Sequence, residues 1–187
     1  SLRRRQRQMC IRDRDKAVSP ERRQLAKTGV LRSAYMLGNG EEVMLAATDL
    51  LAETKVAPEL SNEAHYYRAK AYLDAGKVEG AMDDLKILAK DTRNIYGAEA
   101  KYKVAQIYFD AGQTEQAEKE VLDYIEVSTP HTYWLARSFV LLSDVYMKLG
   151  RNLDAKQYLL SLKQNYQADD DIAGMIESRL NKLNAEN

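Results

Sequence analysis

The sequence is poor in the residues that carry much enzyme chemistry or interrupt helices. It has 187 residues but only one cysteine, two histidines, three prolines and nine glycines. The lone Cys10 excludes a disulfide within the chain, and His65 and His131 are too far apart in sequence to form a metal-ligand motif. Scarce proline and glycine favour helices. No apolar run approaches the roughly 18 residues of a membrane span.

Catalytic signatures are missing as well. No serine or cysteine nucleophile has a recognisable partner base, and Gly38-Asn39-Gly40 lacks the rest of a phosphate-binding loop. Asp169-Asp170-Asp171 is followed neither by a glycine-turned loop nor by a distal glutamate, so it does not resemble a calcium site. We therefore predict a protein that is not an enzyme and that has no cofactor and no metal.

Residues 1–14 differ in composition from the rest of the chain. They contain six arginines, one acidic residue and the cysteine, with no periodic apolar face. One interpretation is a basic arm for nucleic acid or an anionic membrane. The favoured one is a cloning or sequencing scar, which would mean that the true N-terminus is missing. The other residues hold 22 basic and 27 acidic side chains, a net charge of −5, which argues against nucleic acid as a partner.

The remaining residues, 15–187, repeat one pattern three times. A small residue, a tyrosine, a glycine and three further positions recur at offsets of 0, +3, +7, +12, +16 and +19. The three copies are Ala69, Tyr72, Gly76, Ala81, Leu85, Leu88; Ala105, Tyr108, Gly112, Ala117, Val121, Tyr124; and Ser143, Tyr146, Gly150, Ala155, Leu159, Leu162.

These offsets predict a pair of helices in each copy. The small residue and the tyrosine share one face of a first helix, and the glycine suits a left-handed helix end. The last three positions form an apolar stripe at i, i+4 and i+7 on a second helix. Tyr72, Tyr108, Tyr146 and Tyr124 are thus predicted to lie in the core.

The pattern extends beyond the three clear copies. Residues 20–53 look like a degenerate fourth copy, aligned on Tyr35 and with a shortened turn, and residues 170–184 carry one apolar stripe typical of a capping helix. Ser19 is the expected N-cap of the first helix, and Ser61 or Asn62 that of the third. The predicted repeats are 20–53, 62–91, 98–129 and 136–167.

The three copies resemble the tetratricopeptide repeat (TPR) family. The resemblance implies an all-α fold, a right-handed αα superhelix (TPR-like solenoid) of about four helix pairs with a C-terminal capping helix. The spacing is longer than the family's usual period of about 34 residues. It resembles bacterial envelope repeats such as those of the outer-membrane assembly lipoprotein and of the Tol-Pal-associated periplasmic protein. We therefore expect a bacterial periplasmic or cell-envelope protein, with the cytoplasm left open.

The resemblance also implies a binding surface. In the TPR family, first-helix positions six and two before the repeat tyrosine, and one and two after it, line a concave groove. Because Asp74, Asp110 and Asp144 oppose an anionic tail, a chaperone-type carboxylate clamp is not expected. The groove residues predicted in this way are Tyr66, Lys70, Leu73, Asp74, Tyr102, Gln106, Phe109, Asp110, Val140, Asp144, Met147 and Lys148.

The leading functional hypothesis is a scaffold or adaptor that binds a protein or peptide segment in this groove. We expect the chain to be the C-terminal part of a longer bacterial protein. Two alternatives stay open: a helical-repeat RNA-binding module, and a regulatory domain of an enzyme that lies on the missing N-terminal part. The sequence does not indicate an oligomeric state.

Overall fold

The protein is all-α in a computed structural model that describes residues 19–185. The basic segment 1–14 lies outside the described residues. Within residues 19–185 there are nine helices and no strand. The helices are α1 (Pro20–Met36), α2 (Gly40–Leu51), α3 (Pro58–Asp74), α4 (Val78–Leu88), α5 (Ile95–Asp110), α6 (Thr114–Ile125), α7 (Thr132–Lys148), α8 (Asn152–Asn165) and α9 (Ile172–Ala185).

The turns inside the helix pairs all use a left-handed glycine, as the sequence predicted. Gly76, Gly112 and Gly150 have φ angles of 71°, 76° and 74°. Each turn is closed by a backbone hydrogen bond to the repeat tyrosine, for example from Gln113 N to Tyr108 O at 2.9 Å. This six-to-one bond satisfies a carbonyl at the helix end, and the left-handed residue that it needs is easiest for glycine.

The first pair has the same turn, but its alignment with the other pairs is shifted by one residue. Gly38 has a φ of 67°, and the closing bond runs from Asn39 N to Ala34 O at 3.0 Å. Ala34, not Tyr35, therefore occupies the position of the repeat tyrosine. The turn is three residues long, as in the other pairs, so the predicted shortened turn is wrong. Large and small residues are exchanged in this pair. Leu31 occupies the position of the small residue, Ala or Ser, and Ala34 occupies the position of the tyrosine.

The starts of the helices agree only in part with the predicted caps. The Ser19 side chain accepts a hydrogen bond from Arg22 N, as predicted, and Pro20 follows in the first turn. α3, however, begins at Pro58 after Ala57, one turn before the predicted caps Ser61 and Asn62. Proline at the first helical position needs no N–H partner, so it starts this helix without a side-chain cap.

The chain divides into two compact units, the first ending at Ala81 and the second beginning at Met82. In the first unit, α1 and α2 pack against each other and both contact α3. The ring centres of Tyr35 and Tyr67 lie 3.9 Å apart in a stacked arrangement at the edge of this core. The core side chains of the first unit are Leu31, Ala34, Val43, Ala46, Ala47, Leu50, Ala64 and Ala71.

The second unit contains the larger core. Here α5 packs on α6 and α7, α7 on α8, and α9 contacts both α7 and α8. The second-helix stripes and the stripe of α9 are buried as predicted, because each faces the neighbouring helices. The buried stripe residues of α6, α8 and α9 are Ala117, Val121 and Tyr124; Ala155, Leu159 and Leu162; and Ile172, Ile176, Leu180 and Leu183.

Candidate functional site

A pocket of the second unit lies where α5, α7 and α9 come together. Its volume is about 180 Å³. It contains six of the predicted groove residues, contributed by α5 and α7. It also contains four residues that the sequence did not indicate. The lining residues are Tyr102, Gln106, Phe109, Asp110, Val140 and Asp144, together with Arg137, Leu141, Met175 and Arg179.

One wall of the pocket is a two-pronged ion pair between α7 and α9. Arg179 donates through Nε and Nη2 to the two carboxylate oxygens of Asp144, at 2.8 and 2.7 Å. Both side chains are about a quarter exposed, so the pair is only partly screened by water. The negative charge that was expected to oppose an anionic ligand at Asp144 is therefore balanced within the protein.

A second arginine lies at the other end of the pocket. Arg137 donates to Tyr133 Oη at 2.8 Å and to Asp171 Oδ2 at 3.1 Å. Its guanidinium carbon lies 5.2 Å from the centre of the Tyr102 ring, which suits a cation–π contact. Its Nε is buried and has no hydrogen-bond partner within the described residues. Cation–π stacking thus holds the positive charge of Arg137 at the pocket, while its Nε–H group makes no hydrogen bond with a described residue.

Two predicted groove residues of this unit are buried. Val140 is 1% exposed and Tyr102 is 4% exposed, and both belong to the core of the second unit. Tyr102 is covered from α7, since the Trp134 ring centre is 5.6 Å from its own. Tyr102, which was predicted to line the groove, is therefore at the same time a residue of the core. These two side chains form the floor of the pocket and are not available as free anchors.

The side chains nearer the surface are Phe109, Gln106 and Asp110. Phe109 and Gln106 are half-buried, whereas Asp110 is exposed. The Gln106 carbonyl oxygen accepts a hydrogen bond from Lys103 Nζ at 3.2 Å. Its amide NH₂ makes no hydrogen bond with another described residue, so this group can donate to a bound ligand.

The other predicted groove residues lie elsewhere. In the first unit, α3 carries Tyr66, Lys70 and Leu73 half-buried and Asp74 exposed. The ammonium group of Lys70 lies 5.4 Å from the centre of the Tyr66 ring, so this pair forms a small amphipathic surface on α3. On α7, Met147 is half-buried and Lys148 is exposed, and neither lines the pocket.

The repeat tyrosines also differ from one another. Tyr146 is 3% exposed and lies in the core as predicted, but Tyr72 and Tyr108 are only half-buried. The ammonium group of Lys86 lies 5.6 Å from the centre of the Tyr108 ring. A hydrogen bond to the Tyr108 hydroxyl raises the pKa of Lys86. The small residues beside these tyrosines, Ala69 and Ala105, are buried as predicted.

Two of the four pocket residues missed from the sequence, Met175 and Arg179, belong to α9. The sequence of α9 shows one apolar stripe and no turn glycine, so it was predicted as a cap and not as a repeat. Yet Met175 and Arg179 lie 35 residues after Val140 and Asp144, which is the spacing of the repeats themselves. That spacing was the signal that could have indicated them.

The pocket has balanced charge and mixed polarity. Two arginines face two aspartates, and the apolar lining comes from Phe109, Val140, Leu141 and Met175. In the part of the chain that is described, no group of three or more His, Cys, Asp and Glu side chains could hold a metal ion. No helix between residues 19 and 185 has the length and apolar character needed to cross a membrane.

The helix pairs, their glycine turns and the α9 cap define an all-α helical-repeat protein with a TPR-like fold. No protein-family model matches the sequence, and no curated protein matches it. Solved structures do show the fold. The chain is similar to Pseudomonas aeruginosa PilF, at 17% identity and a TM-score of 0.62, over 89% of this chain and 71% of that one.

Two structures of a putative kinesin light chain from Podosopora anserina, with nearly identical TPR-like repeats, are also similar. One of them, a form with a single substitution, has a TM-score of 0.55 at 16% identity, covering 87% of this chain and 93% of that chain. The other form has a TM-score of 0.53 at 16% identity, covering 89% and 95%. The predicted all-α, TPR-like repeat fold is thereby confirmed.

Proposed function

We propose that the chain is a non-catalytic protein-interaction module that binds a protein or peptide segment in the pocket between α5, α7 and α9. The observation that carries the proposal is the meeting of six independently predicted groove residues in one pocket. The similar solved structures support a helical-repeat scaffold in general. Placement in a bacterial cell envelope belongs to the same proposal and rests on the spacing of the repeats, which is longer than the usual period of about 34 residues.

The lining indicates which segment would fit. Phe109 and Met175 offer apolar contact area, and aromatic side chains make good anchors because they lose little rotamer entropy. The free Gln106 NH₂ can donate to a peptide carbonyl. With Asp110 on the rim and both arginines partnered, a segment with an apolar anchor and no strong net charge is favoured over an acidic tail.

On α3 of the first unit, Tyr66, Lys70 and Leu73 form a second candidate contact surface. It follows the same register of the repeat, and its half-buried Tyr66–Lys70 pair combines an aromatic ring with a cation. We include this surface in the proposal as a site for the same class of ligand, to be tested separately from the pocket.

The test is selection of binders from a random peptide library displayed on phage, with the full chain as bait. We expect peptides with an apolar anchor. The Phe109→Ala variant should weaken binding of the selected peptides at least tenfold, about 1.4 kcal/mol. The matched control is Leu153→Ala on α8, which removes an apolar side chain that is 85% exposed outside the pocket.

Because Phe109 is half-buried, a second variant separates binding from folding. Asp110→Lys reverses the charge of an exposed rim residue that has room for the longer side chain. The thermal midpoint should therefore not move, while peptide preference shifts towards acidic flanking residues. If both variants are folded and bind every selected peptide like wild type, the pocket is not the binding site.

A further inference from the structure

The outer face of α1 is apolar and exposed. Leu25 and Met36 are 63% and 86% exposed, and Gly29 lies between them at the centre of this face. A Cβ atom at Gly29 would meet no atom within 4 Å apart from the nearby backbone of its own helix. Ala26 and Ser33 lie on the same side, and together with Leu37 and Glu42 they line an open depression of about 480 Å³. We call the surface around Gly29 the α1 face.

The repeat register shows what kind of surface this is. Counted from the turn glycine, Ala26 corresponds to Ala64 of α3, Ala100 of α5 and Ser138 of α7. Those three residues are at most 1% exposed, whereas Ala26 is exposed. In the first unit Ala64 belongs to the core formed with α1 and α2, so the helix pair before α3 covers this position. α1 therefore has the surface of an internal helix, without a helix pair before it in the described chain.

The charges at the two ends of the α1 face suit a second copy of the same chain. Arg22 lies near the start of α1, and Glu42 lines the depression beside the end of α1. Neither forms an ion pair with another described residue. In an antiparallel pair of α1 helices, a two-fold axis near Gly29 brings Arg22 of each copy to the end that carries Glu42 of the other.

Other features of the chain favour this occupant. Ala26, Gly29 and Ser33 form a flat, small-residue centre that lets two helices approach closely, and Leu25 and Met36 supply apolar area on either side. Residues 1–18 hold six arginines and a lysine, a composition poorly suited to covering an apolar face. We propose that the α1 face is a two-fold dimer interface in which the α1 helices of two copies pack antiparallel across Gly29.

The first test is the mass of the full chain in solution, measured by light scattering during size-exclusion chromatography over a range of concentrations. We expect a mass that rises from the 21.3 kDa of one chain towards twice that value. Gly29→Arg should lower the association constant at least tenfold. It should not unfold the helix, because arginine has a better helix propensity than glycine. The matched control, Gly174→Arg on the exposed polar side of α9, should leave the mass unchanged.

A charge exchange tests the geometry itself. Arg22→Glu and Glu42→Arg should each weaken the dimer, and the double variant Arg22→Glu/Glu42→Arg should restore it, because each copy then regains opposite charges across the axis. A wild-type chain that stays monomeric at all concentrations overturns the proposal. So does a dimer that Gly29→Arg leaves intact. A monomer in which deletion of residues 1–18 increases hydrogen exchange along α1 would assign the face to that segment instead.

Discussion

α1 and α9, the first and last helices of the described chain, are alike on their inner faces and different on their outer faces. Inside, Leu31 of α1 and Ile176 of α9 are both almost fully buried. Outside, α1 exposes Leu25 and Met36, whereas α9 exposes Glu177, Ser178 and Asn181. A helix that ends a stack needs one apolar face, and a helix inside a stack needs two.

This difference separates two roles that the sequence pattern alone does not distinguish. α9 closes the second unit, and its side chains Met175 and Arg179 at the same time complete the pocket. α1 begins the first unit with a surface that its own chain does not cover within the described residues. The proposed ligand binding therefore uses the pocket that α9 completes, and the proposed self-association uses α1.

The largest expected effects are losses of stability from substitutions on the inner faces of α1 and α9. These losses should be similar for the two helices. Leu31→Ala and Ile176→Ala should each lower the free energy of unfolding by about 2–5 kcal/mol, because each empties a closed core site. Chemical denaturation of a monomeric sample measures this. Leu25→Ala and Ser178→Ala should change stability by less than about 0.5 kcal/mol. A large loss from Leu25→Ala would show that the α1 face is covered within one chain.

The turn glycines test whether the first pair is built like the others. Gly112→Val should cost about 1–2 kcal/mol, since a β-branched side chain is strained at a φ of 76°. Gly38→Val should cost the same, because its φ of 67° and its closing hydrogen bond are equivalent. Thermal denaturation of both variants gives the comparison. A neutral Gly38→Val beside a destabilising Gly112→Val would show that the first turn is not a true repeat turn.

α1 is joined to α3 by the ion pair of Arg32 and Glu63, which predicts a pH dependence. Arg32 donates to both carboxylate oxygens at 2.7 Å, and this hydrogen bonding lowers the pKa of Glu63 below its usual 4.5. A lowered pKa stabilises the folded state above that value, and the contribution is lost as the pH falls through the folded-state pKa. Glu63→Gln should thus be less stable than wild type at pH 7.

The difference in unfolding free energy between Glu63→Gln and wild type should shrink as the pH is lowered below 4.5, the usual pKa of a glutamate. Urea titrations at several pH values measure it. A difference that stays constant with pH would mean that the Glu63 side chain acts by packing and not by charge.

The smallest effect concerns the segment before α1. Deletion of residues 1–14 should leave the thermal midpoint unchanged, because these residues carry dense positive charge and no apolar face. Scanning calorimetry of both forms is sufficient. A drop of several degrees would show that the segment packs on the protein and that its interpretation as a scar is wrong.

Much of the fold could be predicted because the repeated residues act through interactions within a single helix pair. A glycine that ends a helix and a stripe at i, i+4 and i+7 act within one pair, so their spacing was enough to predict the helices and turns. The first pair was misaligned because Tyr35 was aligned with the repeat tyrosine. The hydrogen bond to Ala34 O, together with the offset of four residues from Gly38, shows that Ala34 is the equivalent residue.

The site was less predictable because it depends on neighbouring helices. Tyr102 and Tyr66 hold the same register position, but Tyr102 is buried and Tyr66 is half-buried. The ring centre of Trp134, from the next repeat, lies 5.6 Å from that of Tyr102. Arg137 occupies the register position that Glu63 and Glu99 occupy in the earlier copies. Its charge is opposite to theirs, so the earlier copies did not indicate it as a pocket residue. The sequence of a single copy does not indicate such contacts between repeats.

The most direct test of the account is methyl NMR of the full chain labelled with ¹³C at its methionine methyl groups, titrated with a peptide selected by display. Met175 lies in the pocket, and Met36 lies on the α1 face. The account predicts that the Met175 signal shifts with bound peptide while that of Met36 stays unchanged. A shift of Met36 with an unchanged Met175 would contradict it, because the peptide would then bind the surface assigned to self-association.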